Sequence, residues 1–370
     1  MAKLDIKKID KAMATDSKGI DGMDWYTADS PAFELSGFYW RRKGGVFRRL
    51  PDNEQSLSFS PRVQELSWHT SGGMLRFKSD ATEVRVKATV CHTSRLCHMT
   101  LVGSMGFDLY VGNGSMKVFA KSTRFENEVD EYCCTLFQTT EKMMREFTIH
   151  FPLYSGVKKF EVGLSAGSKV KEPTPWDDPR PVVVYGTSIT QGGCASRPGM
   201  LHTNIMSRML NRPFINLGFS GNGRGEPEMA EIIARIKYPA MFVLEYDDNA
   251  RPERLEKTLE PFIRILRKKH SNTPILTIST EPKSAEAYEP FSSDYASKER
   301  PEYTRIHTEN LKRFRSEGDN NIYFLDGMRL YGQDFAECTV DGAHATDLGF
   351  YRMAHTTGPI IDSILSKWWF

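Results

Sequence analysis

Three side chains that together can perform acyl transfer lie in two short segments of this chain. Ser188 lies in the segment GTSITQ, residues 186–191, and Asp341 and His344 lie in the segment DGAH. A serine hydroxyl is a weak nucleophile until a base takes its proton, and an imidazole oriented by a carboxylate is such a base. The residue types therefore predict nucleophilic attack by Ser188, with His344 as the base and Asp341 as its orienting group.

The position of Ser188 fits an α/β sheet. The preceding run PVVVY is typical of a buried strand, and functional sites in open α/β sheets form at the carboxyl ends of the strands. Further apolar runs alternate with helical patterns, which predicts parallel βαβ units with right-handed crossovers. We expect strands at 181–185, 213–217, 240–245, 274–279 and 321–325, and helices near 199–211, 226–236, 252–269, 303–316 and 346–366.

The C-terminal half resembles the SGNH/GDSL hydrolases in the order and spacing of four sequence blocks. These blocks are GTSITQG at 186–192, NLGFSGNG at 216–223, LEYDDNA at 244–250 and DGAH at 341–344. The resemblance covers roughly residues 178–370. It implies a flavodoxin-like three-layer α/β/α sandwich with five parallel strands.

The chain departs from the family pattern at three positions. Thr187 replaces the usual aspartate, so that a hydrogen-bonding oxygen is kept while the charge is lost. Ala345 stands where the family often has proline, and Asn249 is the asparagine of the third block in an unusually acidic setting. Because the family's aspartate is thought to support the loop, the change at Thr187 concerns the geometry of the site more than the identity of the nucleophile.

The resemblance implies a catalytic triad of Ser188, Asp341 and His344. It also implies an oxyanion hole formed by the backbone N–H groups of Ser188 and Gly218 and by the side-chain amide of Asn249. A glycine suits this role because the absence of a Cβ lets a substrate approach its N–H group. Each residue alone has an ordinary structural reading as well, such as a helix cap, a loop hydrogen bond or a turn glycine.

Other polar residues of the C-terminal half are candidates for the pocket wall. Arg197 and Glu281 follow the first and the fourth predicted strands and could contact a substrate. Glu245, Asp247 and Asp248 crowd carboxylates near the expected site, but oxygen-only divalent sites usually draw more ligands from more loops. We therefore expect neither a metal nor a cofactor.

The N-terminal half shows the period of two that is typical of strands, from about residue 60 to 165. EVRVKATV at 83–90 alternates cleanly, and Asn113-Gly114 between two apolar runs is a strong signal for a type I′ hairpin. Several short strands with turn signals predict a β-sandwich or jelly roll. Residues 1 to about 50 read as irregular, and the proline-rich stretch 165–181 reads as a linker.

This half resembles an N-terminal β-domain that precedes some SGNH hydrolases. The segments that carry the resemblance are GFDLY at 106–110, FPLY at 151–154 and WHTSGG at 68–73. We expect a β-sandwich domain over residues 1–170 and a catalytic domain over residues 178–370. Asp108 interrupts an apolar strand and should be paired if it is buried; its edge of the domain either shapes one wall of the substrate cleft or is purely internal.

Composition is that of an ordinary soluble globular protein. The chain has 370 residues, 39% hydrophobic and 26% charged, and a net charge of +2, which creates no strong field for nucleic acid or an anionic membrane. No run approaches the ~20 apolar residues of a membrane span. The six cysteines form no zinc-type pairs, and the vicinal Cys133-Cys134 is awkward for a structural disulfide, so we expect reduced thiols. The N-terminus has no apolar segment of a signal peptide, so we expect a cytoplasmic location unless a leader was removed.

The leading interpretation is a serine esterase that removes a small acyl group, acetyl first of all, from a carbohydrate or related alcohol. The substrate, a small-molecule or oligosaccharide acyl ester, is implied by the resemblance of the two-domain arrangement to carbohydrate esterases. Two alternatives stay open: an acyltransferase that uses the same serine, and a degenerate hydrolase that only binds carbohydrate. A homo-oligomer is compatible with all three.

Overall fold

The chain forms two antiparallel sheets from its N-terminal half and one parallel sheet from its C-terminal half. The computed structural model describes residues 10, 14–15, 21–52, 58–91, 96–126 and 129–367. The extreme N-terminus, which entered the prediction of a cytoplasmic location, lies outside these residues. Among the described helices, none is long and apolar enough to cross a membrane.

The two antiparallel sheets pack face to face as a sandwich. Their strands are β1 (Met23–Thr27), β2 (Glu34–Ser36), β3 (Met74–Ser79), β4 (Glu83–Val90), β5 (Asp108–Val111), β6 (Val118–Ser122), β7 (Glu131–Gln138), β8 (Arg145–His150), β9 (Val157–Ser165) and β10 (Val170–Lys171). One sheet has the order β1-β9-β4-β7 and the other β10-β3-β8-β5-β6, with β2 paired to β3. Inward-facing aromatic residues such as Phe77, Phe107 and Phe160 fill the space between the sheets, as strand alternation requires.

Three details of this half differ from the sequence-based expectations. Residues 23–27 and 34–36 are strands instead of irregular chain, because β1 adds to the free edge of β9 and β2 to that of β3. Residues 61–67 form a helix, α1, which Ser60 caps by accepting the amide of Val63. Asn113 has φ −121°, whereas a type I′ turn requires positive φ there; a 3₁₀ turn at Gly114–Met116 joins β5 to β6 instead.

The C-terminal half contains the predicted five-stranded parallel sheet. Its strands are β11 (Val182–Gly186), β12 (Phe214–Gly218), β13 (Met241–Glu245), β14 (Ile275–Ile278) and β15 (Ile322–Leu325). The order β12-β11-β13-β14-β15 places β11 between β12 and β13. The strands are buried on both faces under helices, which explains why they read as continuous apolar runs.

The remaining helices are α2 (Leu101–Met105), α3 (Ser188–Gln191), α4 (His202–Leu210), α5 (Pro227–Ile233), α6 (Asp247–Lys269), α7 (Ala285–Tyr288), α8 (Arg300–Ser316) and α9 (Asp347–Ser366). The helices α4, α5, α6, α8 and α9 agree with the predicted ones within a few residues, whereas the short helices α2, α3 and α7 were not predicted. Helix α6 is interrupted at Arg251, where φ is +58° and the backbone is not helical. One helical turn, which contains Asn249, therefore precedes the long part of α6 at the carboxyl end of β13.

The sandwich and the parallel sheet are joined by buried polar contacts. Arg49 is fully buried, and its guanidinium donates to the carbonyl oxygens of Gly218 at 2.6 Å and Leu66 at 2.7 Å. Burial lowers the pKa of Arg49 to about 9. At Gly72, which has φ +79°, an added Cβ would lie 2.5 Å from the Cβ of Asn216. This close approach explains a glycine at this point of the interface.

Candidate active site

Ser188 is the first residue of α3, a single helical turn that follows β11 directly. Thr187 caps this turn: its Oγ1 accepts the amide of Ile189 at 3.3 Å, and Thr190 Oγ1 accepts the amide of Thr187 at 3.0 Å. Gly192 ends the turn with φ +113°, a conformation that favours glycine. The threonine in place of the family's aspartate therefore still holds the loop through a side-chain oxygen.

The three predicted catalytic side chains form one continuous chain of hydrogen bonds. The Oγ of Ser188 lies 3.0 Å from Nε2 of His344, and Nδ1 of His344 lies 2.8 Å from Oδ2 of Asp341. The other carboxylate oxygen of Asp341 accepts the backbone amides of Ala343 at 3.0 Å and His344 at 2.7 Å. Partial burial raises the pKa of Asp341, but these hydrogen bonds outweigh it and hold the pKa at about 2. Asp341 is thus an anion that can orient the imidazole.

The acidic residues beneath the nucleophile are paired with cationic or imidazole groups. Glu245 Oε1 accepts the hydroxyl of Thr190 at 2.7 Å and lies 3.0 Å from Nε2 of His202. Asp247 lies 2.9 Å from Nε2 of His307. This pairing supports the view that these carboxylates are structural, as buried charges need partners.

Glu281 belongs to the same buried network and does not line a substrate pocket. It forms an ion pair with Lys283, which also binds Asp248 at 2.5 Å. Burial raises the pKa of Asp248, but the charge of Lys283 outweighs this and lowers it, whereas burial dominates at Glu281 and raises its pKa. The cavity beside Glu281 measures about 10 Å³, enough for about one water molecule. The contact between Glu281 and a substrate therefore stays a prediction, which this small cavity and the ion pair with Lys283 do not support.

The oxyanion hole differs from the prediction at one donor. The N–H group of Gly218 donates to Oδ1 of Asn216 at 3.0 Å and is buried against Gln191. It is therefore unavailable to a substrate. Gly221, three residues later in the same loop, is exposed with φ +68°, and its N–H group has no hydrogen-bond acceptor among the described residues. We assign the second backbone donor to Gly221 instead of Gly218.

The other two proposed oxyanion donors remain available. Ser188 N–H stands at the start of α3 and has no acceptor within the described chain, as expected for a first-turn amide. Asn249 Oδ1 accepts the amide of Gly223 at 3.3 Å. That bond anchors the side chain of Asn249 to the loop of Gly221. Because Nδ2 of Asn249 has no acceptor among the described residues, it is available to donate to a substrate.

Residues of the N-terminal domain contact the nucleophile turn directly. Gln191 Nε2 lies 2.9 Å from Nδ1 of His69, and the carbonyl oxygen of Gln191 accepts the hydroxyl of Ser71 at 2.6 Å. Tyr154 donates its hydroxyl to the carbonyl oxygen of Ser188 at 3.2 Å. Sequence reasoning assigned no role to these side chains, although they lie in the WHTSGG and FPLY segments that it singled out.

Asp108 and Arg197, both expected at the substrate cleft, bind each other across the domain interface. Arg197 Nη1 donates to Asp108 Oδ2 and to the hydroxyl of Tyr110, both at 2.7 Å. The amide of Gly199 donates to the same carboxylate oxygen at 2.8 Å. Asp108 is fully buried, so it cannot touch a substrate. The expectation that Asp108 is paired is confirmed. The expectation that Asp108 and Arg197 line the wall of the cleft is not supported.

A pocket of about 570 Å³ opens between the sandwich and the loop of Gly221. It is lined by Arg62, Glu65, Leu66, Trp68, His69, Cys91, Leu96, Tyr154, Gly156, Ser220 and Asn222. Trp68 exposes 40% of its surface there, and Ser220 and Asn222 flank Gly221. The pocket therefore adjoins the proposed oxyanion hole, and most of its wall comes from the N-terminal domain.

Comparison with protein families and solved structures agrees with this two-part architecture. Residues 179–362 match the family described as GDSL-like lipase/acylhydrolase, and residues 23–170 match the family described as the GxDLY N-terminus of SGNH-hydrolase-type esterases. A protein from Bacteroides ovatus described as a GDSL-like lipase shares 30% identity and a TM-score of 0.83, over 93% of this chain and 98% of its own. No curated protein matches the chain.

Two enzymes of different activity share the fold at low identity. A salicylyl-acyltransferase from a tetracycline biosynthetic pathway has 18% identity and a TM-score of 0.74, and the match covers 93% of this chain and 98% of the acyltransferase. A family two carbohydrate esterase from Cellvibrio japonicus has 11% identity and a TM-score of 0.59 over the same shares of the two chains. At these identities the likeness concerns the fold alone.

Proposed function

Because the chain belongs to the GDSL-like lipase/acylhydrolase family, we propose that it is a serine esterase that removes a small acyl group, acetyl first of all, from a carbohydrate or related alcohol. One observation carries the proposal. The Ser188–His344 and His344–Asp341 contacts, at 3.0 and 2.8 Å, connect nucleophile, base and orienting carboxylate in one line. An intact hydrogen-bonded triad argues against the alternative that the protein only binds carbohydrate.

The proposed reaction proceeds through an acyl-enzyme. Ser188 Oγ attacks the carbonyl carbon while Nε2 of His344 takes its proton, and Asp341 stabilises the resulting imidazolium. The negative charge on the carbonyl oxygen is met by the N–H groups of Ser188 and Gly221 and by Nδ2 of Asn249. The ester C–O bond then breaks, and His344 returns the proton to the leaving alcohol. A water molecule, deprotonated by His344, releases the acid from Ser188.

The pocket beside Gly221 supports a carbohydrate substrate. Its wall combines an exposed aromatic face, Trp68, with the polar groups of Arg62, Glu65 and Asn222. Aromatic rings bind the apolar face of a sugar, while charged and amide groups bind its hydroxyls. A volume of about 570 Å³ exceeds what an acetyl group needs, so the pocket suits the alcohol part of the ester.

Acyl transfer is the second candidate. The acyltransferase that shares the fold across 98% of its length motivates it, because an acceptor alcohol and water attack the same acyl-enzyme. A large pocket next to the nucleophile could hold such an acceptor. Product analysis with simple sugars as acceptors distinguishes the two: acetylated sugar indicates transfer, and acetate alone indicates hydrolysis.

The substrate proposal is tested with a panel of esters. Acetate release is measured on acetylated xylan, acetylated mannan and simple sugar acetates, and hydrolysis is compared for p-nitrophenyl acetate, butyrate and octanoate, with Ser188→Ala as the control. We expect activity that falls with acyl length and depends on Ser188. A preference for the octanoate ester, with no acetate released from any carbohydrate, would contradict the proposed substrate class. It would not contradict the assignment as a serine esterase.

A further inference from the structure

His98, a residue of the N-terminal domain, reaches the orienting carboxylate of the proposed triad. Its Nε2 lies 3.5 Å from Oδ2 of Asp341. Its ring stands edge-on to that of His344, with centroids 5.5 Å apart and an interplanar angle of 90°. The side chains of His98, Asp341 and His344 are 28, 35 and 32% exposed, so a small ion from solvent can reach all three.

Two imidazoles and a carboxylate are a donor set that Zn²⁺ binds well. One ligand atom from each of His98, Asp341 and His344 lies within 4.8 Å of the other two. In a tetrahedral site with bonds of ~2.0–2.2 Å, the ligand atoms stand roughly 3.3–3.6 Å apart. The 3.5 Å between Nε2 of His98 and Oδ2 of Asp341 already meets this requirement. The 2.8 Å between Nδ1 of His344 and the same oxygen is shorter and must open by about 0.5 Å when the ion enters.

We propose that His98, Asp341 and His344 form a zinc site through which Zn²⁺ inhibits the enzyme. Coordination at either ring nitrogen of His344 removes the base. If Nδ1 binds the ion, the ring proton stays on Nε2, which can no longer accept the proton of Ser188. If Nε2 binds the ion, its lone pair is occupied by the metal and can no longer accept the proton of Ser188. The fourth coordination position stays open to water.

The other ring nitrogen of His98 has a different neighbour. Nδ1 lies 3.8 Å from Sγ of Cys97, so Nε2 is the nitrogen that faces Asp341. The buried carboxylates below the nucleophile do not compete for the ion, because Glu245, Asp247 and Glu281 are already paired with His202, His307 and Lys283. His98 therefore distinguishes this cluster from an ordinary triad, and its removal leaves only two ligands.

Zinc binding is tested directly and without reference to esterase activity. Zinc-free full-length chain carrying Ser188→Ala is titrated with ZnCl₂ against a chromophoric chelator. We expect one ion per chain, with at least a tenfold loss of affinity when His98→Ala is added. His355→Ala is the matched control, since His355 is an exposed histidine on α9, stacked on Tyr351. Equal affinity with and without His98 would overturn the proposal, as would binding that is lost in Cys97→Ser but kept in His98→Ala.

Inhibition is tested in the active chain. ZnCl₂ should inhibit hydrolysis of p-nitrophenyl acetate, EDTA should restore it, and His98→Ala should raise the inhibitory concentration at least tenfold while the metal-free rate stays within twofold. If His98→Ala is inhibited at the same concentration as the parent chain, the proposed site is wrong. Because the binding titration uses the Ser188→Ala chain, its outcome is independent of whether the proposed esterase function holds.

Discussion

Gln191, three residues after Ser188, binds His69 of the N-terminal domain, with Nε2 and Nδ1 2.9 Å apart. Burial, with a smaller effect of the nearby Arg49, lowers the pKa of His69 to about 3, so the ring is neutral and Nδ1 can accept this hydrogen bond. Gln191 also donates to the carbonyl oxygen of Leu153 and accepts the amide of Ser220. One side chain thus ties the nucleophile turn to the sandwich and to the loop of Gly221.

Gln191→Ala should impair catalysis more than substrate binding. Because α3 and the loop of Gly221 both lose their common anchor, we expect kcat for p-nitrophenyl acetate to fall by about tenfold and the free energy of unfolding to fall by ~1–3 kcal/mol. KM should change less than twofold. Gln64→Ala is the control, since Gln64 lies on α1 and its side chain donates to the carbonyl oxygen of Phe59 and to no other acceptor among the described residues. An unchanged kcat in a folded Gln191→Ala chain would refute the positioning role.

The sequence predicts the parallel sheet well because each strand is buried on both faces and therefore reads as an apolar run. It does not predict β1, whose residues MDWYT form a strand only because the edge of β9 is free to pair. Gly218 ends β12 and Gly221 follows it in the next loop, and no local pattern shows that the amide of Gly218 is bound to Asn216 while Gly221 is exposed.

The contacts between domains are a further limit of sequence reasoning. Gln191 and His69 are 122 positions apart, and no local pattern links two residues at that distance. Arg197 was expected beside a substrate because it follows a strand, and Asp108 because a carboxylate interrupts an apolar strand at an edge expected to face the cleft. Both are instead used in the interface, where a buried carboxylate needs a partner.

Asn249→Ala should remove one oxyanion donor. The expected loss is about 2.7–4 kcal/mol of transition-state stabilisation, which lowers kcat by roughly 10²–10³ with little effect on KM. Asn272→Ala, at an exposed loop position, is the control. Steady-state kinetics on p-nitrophenyl acetate measure both variants. A loss below threefold in Asn249→Ala would show that the third donor lies elsewhere.

Thr187→Asp should damage this enzyme even though aspartate is the family's usual residue. Thr187 is buried and lines a small cavity together with Glu245, Asp247 and Asp248, and each of these carboxylates already has its partner. A further carboxylate there lacks a cation, so we expect at least a tenfold lower kcat or a loss of ~1–3 kcal/mol in unfolding free energy. Thr187→Ser keeps the capping oxygen and should stay within twofold. Full activity and stability of Thr187→Asp would contradict this account of the cavity.

Asp178, between the two halves of the chain, should make stability depend on pH in the acid range. Burial raises its pKa, but hydrogen bonds from Arg180 and Arg212 outweigh this and lower the pKa from 3.8 to about 2. Its stabilisation is therefore complete above about pH 4 and is lost as the pH falls towards 2. Asp178→Asn should lower the free energy of unfolding by about 1–2 kcal/mol at neutral pH, and the difference should vanish near pH 2.

Urea unfolding at a series of pH values measures this difference. Asp177→Asn is the control, because Asp177 is exposed and binds Asn211. A difference between the parent chain and Asp178→Asn that stays constant from pH 6 to pH 2 would mean that the ion pairs contribute nothing that depends on protonation.

We propose Ser188, activated by His344 and Asp341, as the nucleophile of this enzyme. The most direct measurement is reaction with a fluorophosphonate probe, followed by peptide mass spectrometry to locate the label. We predict one label per chain on Ser188, none in Ser188→Ala, and labelling slowed by at least 10²-fold in His344→Ala. A folded chain that hydrolyses esters while Ser188 stays unlabelled, or that carries the label on another residue, would contradict the account.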